Sequence, residues 1–229
     1  MVGEPFFFFM KKYFAFLIFI LPAFHLSAQK WHVGLVGGIN FPNIYSKEQG
    51  IIGKRQKENI KRTILSGIGL SYNCNRYLNL RSEVLYEERG WVTESIFAID
   101  PNTGNSEKSK LNYFYPFITV PILVEGKIGN SLQLFVNTGI NTSLRIGGKI
   151  ITENGYIPTV FIFPEDKKPT FDFAWIGGGG IRIRVHKRFF VQTEYRYYRS
   201  WTPIGVGYSV DSVIKHKGFL LNLSCYYRI

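Results

Sequence analysis

The sequence predicts an all-β fold: an eight-stranded antiparallel up-and-down transmembrane β-barrel with long external loops and short periplasmic turns. Three observations predict it. Side-chain polarity alternates with a period of two over segments well beyond the roughly five or six residues usual in soluble sheets. The connections alternate between long polar stretches and tight turns, and they separate an even number of strands. Strand ends carry aromatics, including Trp31, Tyr72, Tyr86, Trp91, Tyr197, Trp201 and Tyr227, which suits the interfacial girdles of a membrane barrel.

Composition narrows the alternatives. Aromatics make up 17% of the 229 residues and there are 23 glycines, a mixture that favours extended, sharply turning structure over helices. The hydrophobic content, 45%, is that of an ordinary globular chain and leaves no place for a set of helical membrane spans.

Residues 1–9 play no part in this organisation, and Met10 is the expected start. Residues 10–28, MKKYFAFLIFILPAFHLSA, join two lysines, an apolar run from Tyr13 to Phe24 and small residues at Ser27 and Ala28, the layout of a cleaved signal peptide. The apolar run is shorter than the roughly 20 residues of a spanning helix, and Pro22 and His25 interrupt its end. Residues 29–229 then form a single outer-membrane barrel domain.

Within that domain the expected strands are 31–40, 63–73, 78–91, 112–127, 131–146, 172–185, 189–200 and 217–229. The pattern is clearest where Leu132, Leu134, Val136, Ile140 and Leu144 alternate with Gln133, Asn137, Asn141, Ser143 and Arg145. It recurs in Leu78, Leu80, Val84 and Tyr86 against Asn79, Arg81, Glu83 and Glu87, and in Phe219, Leu221, Leu223 and Tyr227 against Asn222, Ser224 and Arg228. A tilted membrane strand needs about 9 to 11 residues, which these segments supply. Residues 41–62, 92–111, 147–171 and 201–216 are long and polar and are expected as external loops, whereas only short turns near Cys74, Asn130 and His186 face the periplasm.

The fourth segment sets a puzzle. YFYPFITVPILVEGK, Tyr113–Lys127, carries Pro116 and Pro121 inside an apolar run, which rules out a helix because an interior proline lacks the donor and clashes with the preceding turn. In a sheet such prolines mark bulges or unpaired donors, with Pro116 expected toward lipid and Pro121 toward the lumen.

Which face meets lipid follows from cost. With the polar faces outward the chain would be a soluble exported β-barrel binding an apolar ligand, the structural alternative. With them inward, Arg81, Glu83, Glu87, Glu125, Arg145, Arg182, Arg184, Glu194, Arg196 and Arg228 form a lumen charge network, joined on the same face by Arg89 and Lys127. An arginine on the lipid face costs about 2–4 kcal/mol near the midplane, so inward placement is expected. Eight strands enclose a bore that side chains can fill, so the network is expected to plug the lumen rather than conduct ions.

Other chemistry is thin. The formal net charge of +12, on an exported chain, suggests outer-membrane lipid including lipopolysaccharide, or anionic glycans, and not nucleic acid. Cys74 and Cys225 are too few for a disulfide scaffold or a zinc site. No catalytic, cofactor or metal residues are assigned. His216 lies toward the external end but no serine shares its strand face, Ser212 being in a loop, so a lipid-modifying outer-membrane enzyme is the weaker reading. Asp100 lacks the ladder of oxygen ligands of a calcium loop. Gly177–Gly180 lacks the Lys-Ser/Thr ending and helix of a phosphate loop, and suits tight curvature instead.

Several segments resemble the PorT-like outer-membrane β-barrel proteins of Bacteroidetes, over roughly Gln29 to Ile229. RSEVLYEERGW at Arg81–Trp91 looks like that family's strand with Glu, then Tyr, then Gly. FITVPILVEGKI at Phe117–Ile128 is similar to its Ile-Pro strand, with Thr119 at the family's acidic position and Glu125 near its lysine. FAWIGGGGIRIRV followed by FFVQTEYRYY resembles its glycine-rich hairpin. The resemblance implies an outer-membrane barrel, with a secretion or envelope protein as a partner, and little about activity. The resulting expectation is a small non-enzymatic barrel with a plugged lumen and external loops that bind or organise something at the envelope.

Overall fold

The computed structural model describes residues 30–47, 61–99, 106–154, 157–162, 171–203, 205–206 and 213–229. The expected signal peptide, 10–28, and Asp100 lie outside the described residues. No helix among the described residues is long and apolar enough to cross a membrane; the crossing is made by strands.

Eight strands form the barrel: β1 (Trp31–Lys47), β2 (Thr63–Asn73), β3 (Leu78–Arg89), β5 (Ser106–Gly129), β6 (Leu132–Arg145), β9 (Phe171–His186), β10 (Phe189–Ser200) and β12 (Val213–Arg228). They pair in the order β3-β2-β1-β12-β10-β9-β6-β5, and β3 pairs β5 to close the ring. Every pairing is antiparallel.

The register fixes the stagger. Starting at Phe41 and stepping through directly paired residues, the path runs Phe219, Tyr197, Gly177, Thr138, Val124, Leu80, Tyr72 and back to Trp31, so it returns 41 − 31 = 10 residues lower on β1. A displaced return means tilted strands, about 35–45° in barrels of this kind. Tilt brings side chains from distant strands to one level of a narrow bore.

Burial follows the expected parity. Leu35, Val136 and Leu223 are 70%, 68% and 62% exposed, whereas Arg81 and Arg196 on the other face are 1% and 0% exposed. In water that arrangement would expose an apolar belt around the whole ring and bury paired charges in place of a greasy core. The soluble apolar-ligand barrel is therefore excluded: its interior would have to be the face that lies outward here.

The external half departs from the sequence reading. All four stretches expected as loops contain strand residues: the end of β1 from Phe41 to Lys47, β4 (Val92–Ile99) with the start of β5, β7 (Lys149–Asn154) with β8 (Ile157–Ile162), and β11 (Gly205–Val206) with the start of β12. β5 is 24 residues long, more than twice what a membrane crossing requires. β4 continues the register of β3 on β5, since Arg89 faces Tyr115 and Val92 faces Asn112, and β7 and β8 extend the other side. The polar run at residues 100–110 and the long spacing make these stretches read as loops, although β4 (VTESIFAI) and β8 (IPTVFI) are rich in β-branched and aromatic residues, a signal sufficient to find them.

Each proline has a distinct accommodation. Between Ser82–Ile122 and Leu85–Thr119 the β3–β5 ladder skips two pairs without changing register, and Pro121, which has no N–H to give, stands in that gap. At Pro116, Phe117 still faces Arg145 but Phe114 faces Lys149, so Ile146, Gly147 and Gly148 oppose only Tyr115 and Pro116. That extra residue is a bulge, and the Pro116 carbonyl accepts the Ile146 N–H at 3.0 Å.

Candidate functional site

The lumen is filled by two charge clusters separated by apolar side chains. In the periplasmic half, Arg81 and Glu83 on β3, Glu125 on β5, Arg182 on β9, and Glu194 and Arg196 on β10 share one network. Arg196 binds Glu83 through two bonds of 2.6 Å and Glu194 through two of 2.7 and 2.8 Å. Arg81 donates to both oxygens of Glu194, at 2.7 and 2.9 Å, and lies 3.2 Å from Glu125 without hydrogen-bond alignment. Arg182 donates to Glu125 at 2.5 Å. Three arginines and three glutamates balance, the arrangement that buried charge requires.

Neutral partners take up remaining valences. Asn79 donates to Glu125 at 2.8 Å, Asn137 donates to Glu194, and Gln192 accepts from Arg182 at 2.8 and 3.0 Å. The ring of Tyr226 lies over Gly34 and Gly69, where an added Cβ would come within 2.6 Å and 2.3 Å of it. Those glycines create the space in which Tyr226 lies along the inner wall, from β12 over β1 to β2.

Above this network lies an apolar layer. Leu85 stands between Glu83 and Glu87 on β3, Tyr198 between Arg196 and Ser200 on β10, and both join Val36, Leu65, Ile176 and Leu220 in one buried cluster. The second charge cluster sits toward the external end. Arg89 donates to Glu87 at 2.8 and 2.5 Å, to Asp172 at 2.5 Å and to Ser143 at 2.7 Å, between the rings of Phe117 and Tyr198. Thr119 donates to Glu87 at 2.7 Å, and Ser200 and Thr202 donate to Asp172 at 2.8 and 2.6 Å.

An aromatic cap closes the external end. Trp91 stacks on Tyr113 with ring centroids 4.3 Å apart, and both are buried with Ile44. Beneath it His216 is fully buried between Trp91 and Phe117, and neither ring nitrogen has a hydrogen-bond partner among the described residues. Ser212 lies outside the described residues. On the outer side of the cap, Lys61 and Lys149 lie over the Phe114 ring, and Lys61 donates to the Tyr113 carbonyl at 3.2 Å. Burial, with the nearby Lys149 charge, pushes the Lys61 ammonium down to about 8, against the opposing pull of Glu88.

The ten expected network residues thus divide. Arg81, Glu83, Glu125, Arg182, Glu194 and Arg196 meet in one cluster, and Glu87 belongs to the second. Arg145 is instead half-buried over Tyr115 at the external end, while Arg184, which is exposed, and Arg228, half-buried, lie at the periplasmic mouth. These three correct the single-network expectation: parity places a residue on a face but does not set its height. Asp172 escaped the sequence reading although it shares parity with Arg182 on β9, a signal sufficient to find it. Its arginine partner lies on a strand distant in sequence.

The family model described as outer membrane protein beta-barrel domain matches residues 27–205, more than three quarters of the chain. The chain belongs to that family. As an outer-membrane β-barrel protein it places the apolar belt in lipid and the two charge clusters in a closed lumen. No curated protein sequence matches it significantly.

Among solved structures the barrel is similar to Neisserial surface protein A, at 9% identity and a TM-score of 0.45, over 87% of this chain and 97% of that one. It is also similar to OprG from Pseudomonas aeruginosa, at 10% and 0.49 over 87% and 96%, and to the outer membrane enzyme PagL, at 11% and 0.36 over 83% and 97%. At these identities and scores the likeness assigns nothing beyond the family match.

Proposed function

We propose that this outer-membrane barrel is non-enzymatic and non-conducting, and that it works through its external surface, binding or organising a component of the envelope or of a secretion apparatus. Export by the leader at residues 10–28 is part of this reading. So is the finer placement among PorT-like proteins of Bacteroidetes, which rests on the resemblance of RSEVLYEERGW and FITVPILVEGKI.

One observation carries the non-conducting reading. β3 and β10 stand four steps apart in the closed ring of eight, so the Arg196–Glu83 and Arg81–Glu194 pairs run across the full width of the bore. A pore would have to break both. With the lumen occupied, contact with lipid and with partners outside the cell falls to the lipid face and to the extension built by β4, β5, β7 and β8.

Lipopolysaccharide is the lipid partner this surface suits. Arg199 and Lys217 are directly paired across β10 and β12 at the external end, and no carboxylate among the described residues pairs with either. Both cations lie over the Tyr45 ring, at 4.9 and 5.9 Å from its centroid, and opposed like charges without a paired carboxylate favour an anion between them. They stand one turn of the alternation beyond Tyr197 and Phe219, where lipid phosphates meet an aromatic girdle.

The reading is tested in planar bilayers, where the reconstituted protein should show no large, stable conductance; porin-like steps would defeat it. In parallel, R199Q/K217Q should copurify with less lipopolysaccharide than the unaltered protein, and equal amounts would remove the lipid assignment.

A further inference from the structure

We infer that the periplasmic mouth of the barrel is a binding site for a phosphate group. A small concavity of about 70 Å³ opens there, well below the volume of a drug-sized ligand pocket and suited only to a compact group. Its cations are Lys127, Arg182, Arg184, Lys187, Arg188 and Arg228, and no carboxylate lines it. β5, β9, β12 and the β9–β10 turn bring them together, so the cluster exists only because the barrel closes.

This mouth differs from the lumen above it. There, three arginines meet three glutamates; here only Arg182 has an acidic partner, Glu125 at 2.5 Å. Lys127 donates to the amide oxygens of Asn73 and Asn79, both at 2.6 Å, and Arg188 donates to the Tyr227 hydroxyl at 3.3 Å. None of Lys127, Arg184, Lys187, Arg188 or Arg228 forms an ion pair among the described residues. So many like charges around one hollow repel one another, and a multivalent anion would relieve that repulsion.

The floor is constructed, not merely open. Arg182 is 4% exposed and uses Nε and Nη2 for Gln192 and Glu125, which leaves Nη1 without a hydrogen bond among the described residues. His32 and Gln133 are buried beside it, at 7% and 8% exposed, and Phe190 supplies an apolar wall. Several convergent guanidinium and ammonium donors, with no acceptor among them, suit a dianion with three or more oxygens better than a single carboxylate. The phosphate could belong to a soluble periplasmic ester or to a phospholipid headgroup of the inner leaflet.

The test uses the full barrel in a phosphate-free maltoside micelle, with backbone amide shifts followed by NMR while inorganic phosphate is added at constant ionic strength. Saturable shifts are expected at His32, Gln133 and Phe190, with none of comparable size at Lys61 on the opposite end. R184Q/R228Q, altered outside the paired lumen network and checked for folding by heat modifiability on gels, should bind phosphate at least ~10-fold more weakly. Should that variant not fold, R188Q in the exposed turn serves, with weakening again expected. Doping the micelle with phosphatidylglycerol separates the sources: shifts at the same residues with competition identify a headgroup site, and their absence identifies a soluble phosphate. Shifts that chloride reproduces, that do not saturate, or that the folded variant retains unchanged would overturn the assignment.

Discussion

Arg196 on β10 grips Glu83 on β3 from the opposite wall of the barrel, Nη1 to Oε2 and Nη2 to Oε1, each 2.6 Å. This bidentate pair is a strut across the lumen, and it ties together strands that the pairing order separates as far as the ring allows. Its removal is expected to be costly in a specific way. R196A strips Glu83 of its bidentate partner and leaves Arg81, at 3.5 Å, as its only cation among the described residues, and breaking a buried pair this way costs about 3–5 kcal/mol. Replacing both ends by apolar residues, R196M with E83L, should cost less than the sum of the two single changes. Urea unfolding of the reconstituted barrel measures both, and a loss below ~1 kcal/mol for R196A would contradict the strut.

Val136 and Asn137 are neighbours in β6 on opposite faces, 68% and 6% exposed. Cysteine placed at each position should report that difference. A lipid-dissolved thiol reagent should modify V136C rapidly and leave N137C nearly untouched in the folded barrel. Equal rates would mean that the outer face does not meet lipid.

Gly69 has no room for a side chain, because an added Cβ would lie 2.3 Å from the Tyr226 hydroxyl oxygen. G69L must push that ring off the wall formed by β1 and β2, and it should lose about 1–3 kcal/mol of stability, the usual cost of overpacking. Y226A in the same background should recover part of the loss by vacating the space. Failure of that rescue in unfolding measurements would place the strain elsewhere.

Lys61 titrates at about 8 instead of near 10.5, and the sign of its effect follows. The folded state resists the charged form, so the penalty is fully present below about 8 and is relieved as pH rises from there toward the ordinary lysine value. The external cap should therefore tighten across that interval, seen as slower proteolysis near Lys61, whereas K61M should show no such pH dependence. Acylation at about pH 8.5, where the Lys61 amine is largely neutral, should also reach Lys61 ahead of the exposed Lys187.

The sequence by itself determined the membrane-spanning body. Alternation at Leu132–Arg145 and Leu78–Arg89 fixes which side chains face lipid, because a period of two leaves each residue only two directions to point. Tight turns at Asn130 and Lys187 follow from the short gaps between such strands. The prolines of the fourth segment likewise pointed to irregular pairing, but whether the accommodation was a bulge, as at Pro116, or a skipped pair, as at Pro121, depended on the neighbouring strand's length.

Only the tertiary structure decided heights. Glu83 and Glu87 differ by four residues on one strand, yet they join different clusters because a stagger of ten residues around the ring brings Arg196 level with one and Asp172 level with the other. The same closure separates Arg184 and Arg228 from the paired lumen charges and gathers them with Lys127 at the periplasmic mouth. Alternation along a strand is local and legible, whereas meeting across a bore depends on tilt and shear, which belong to the closed ring as a whole.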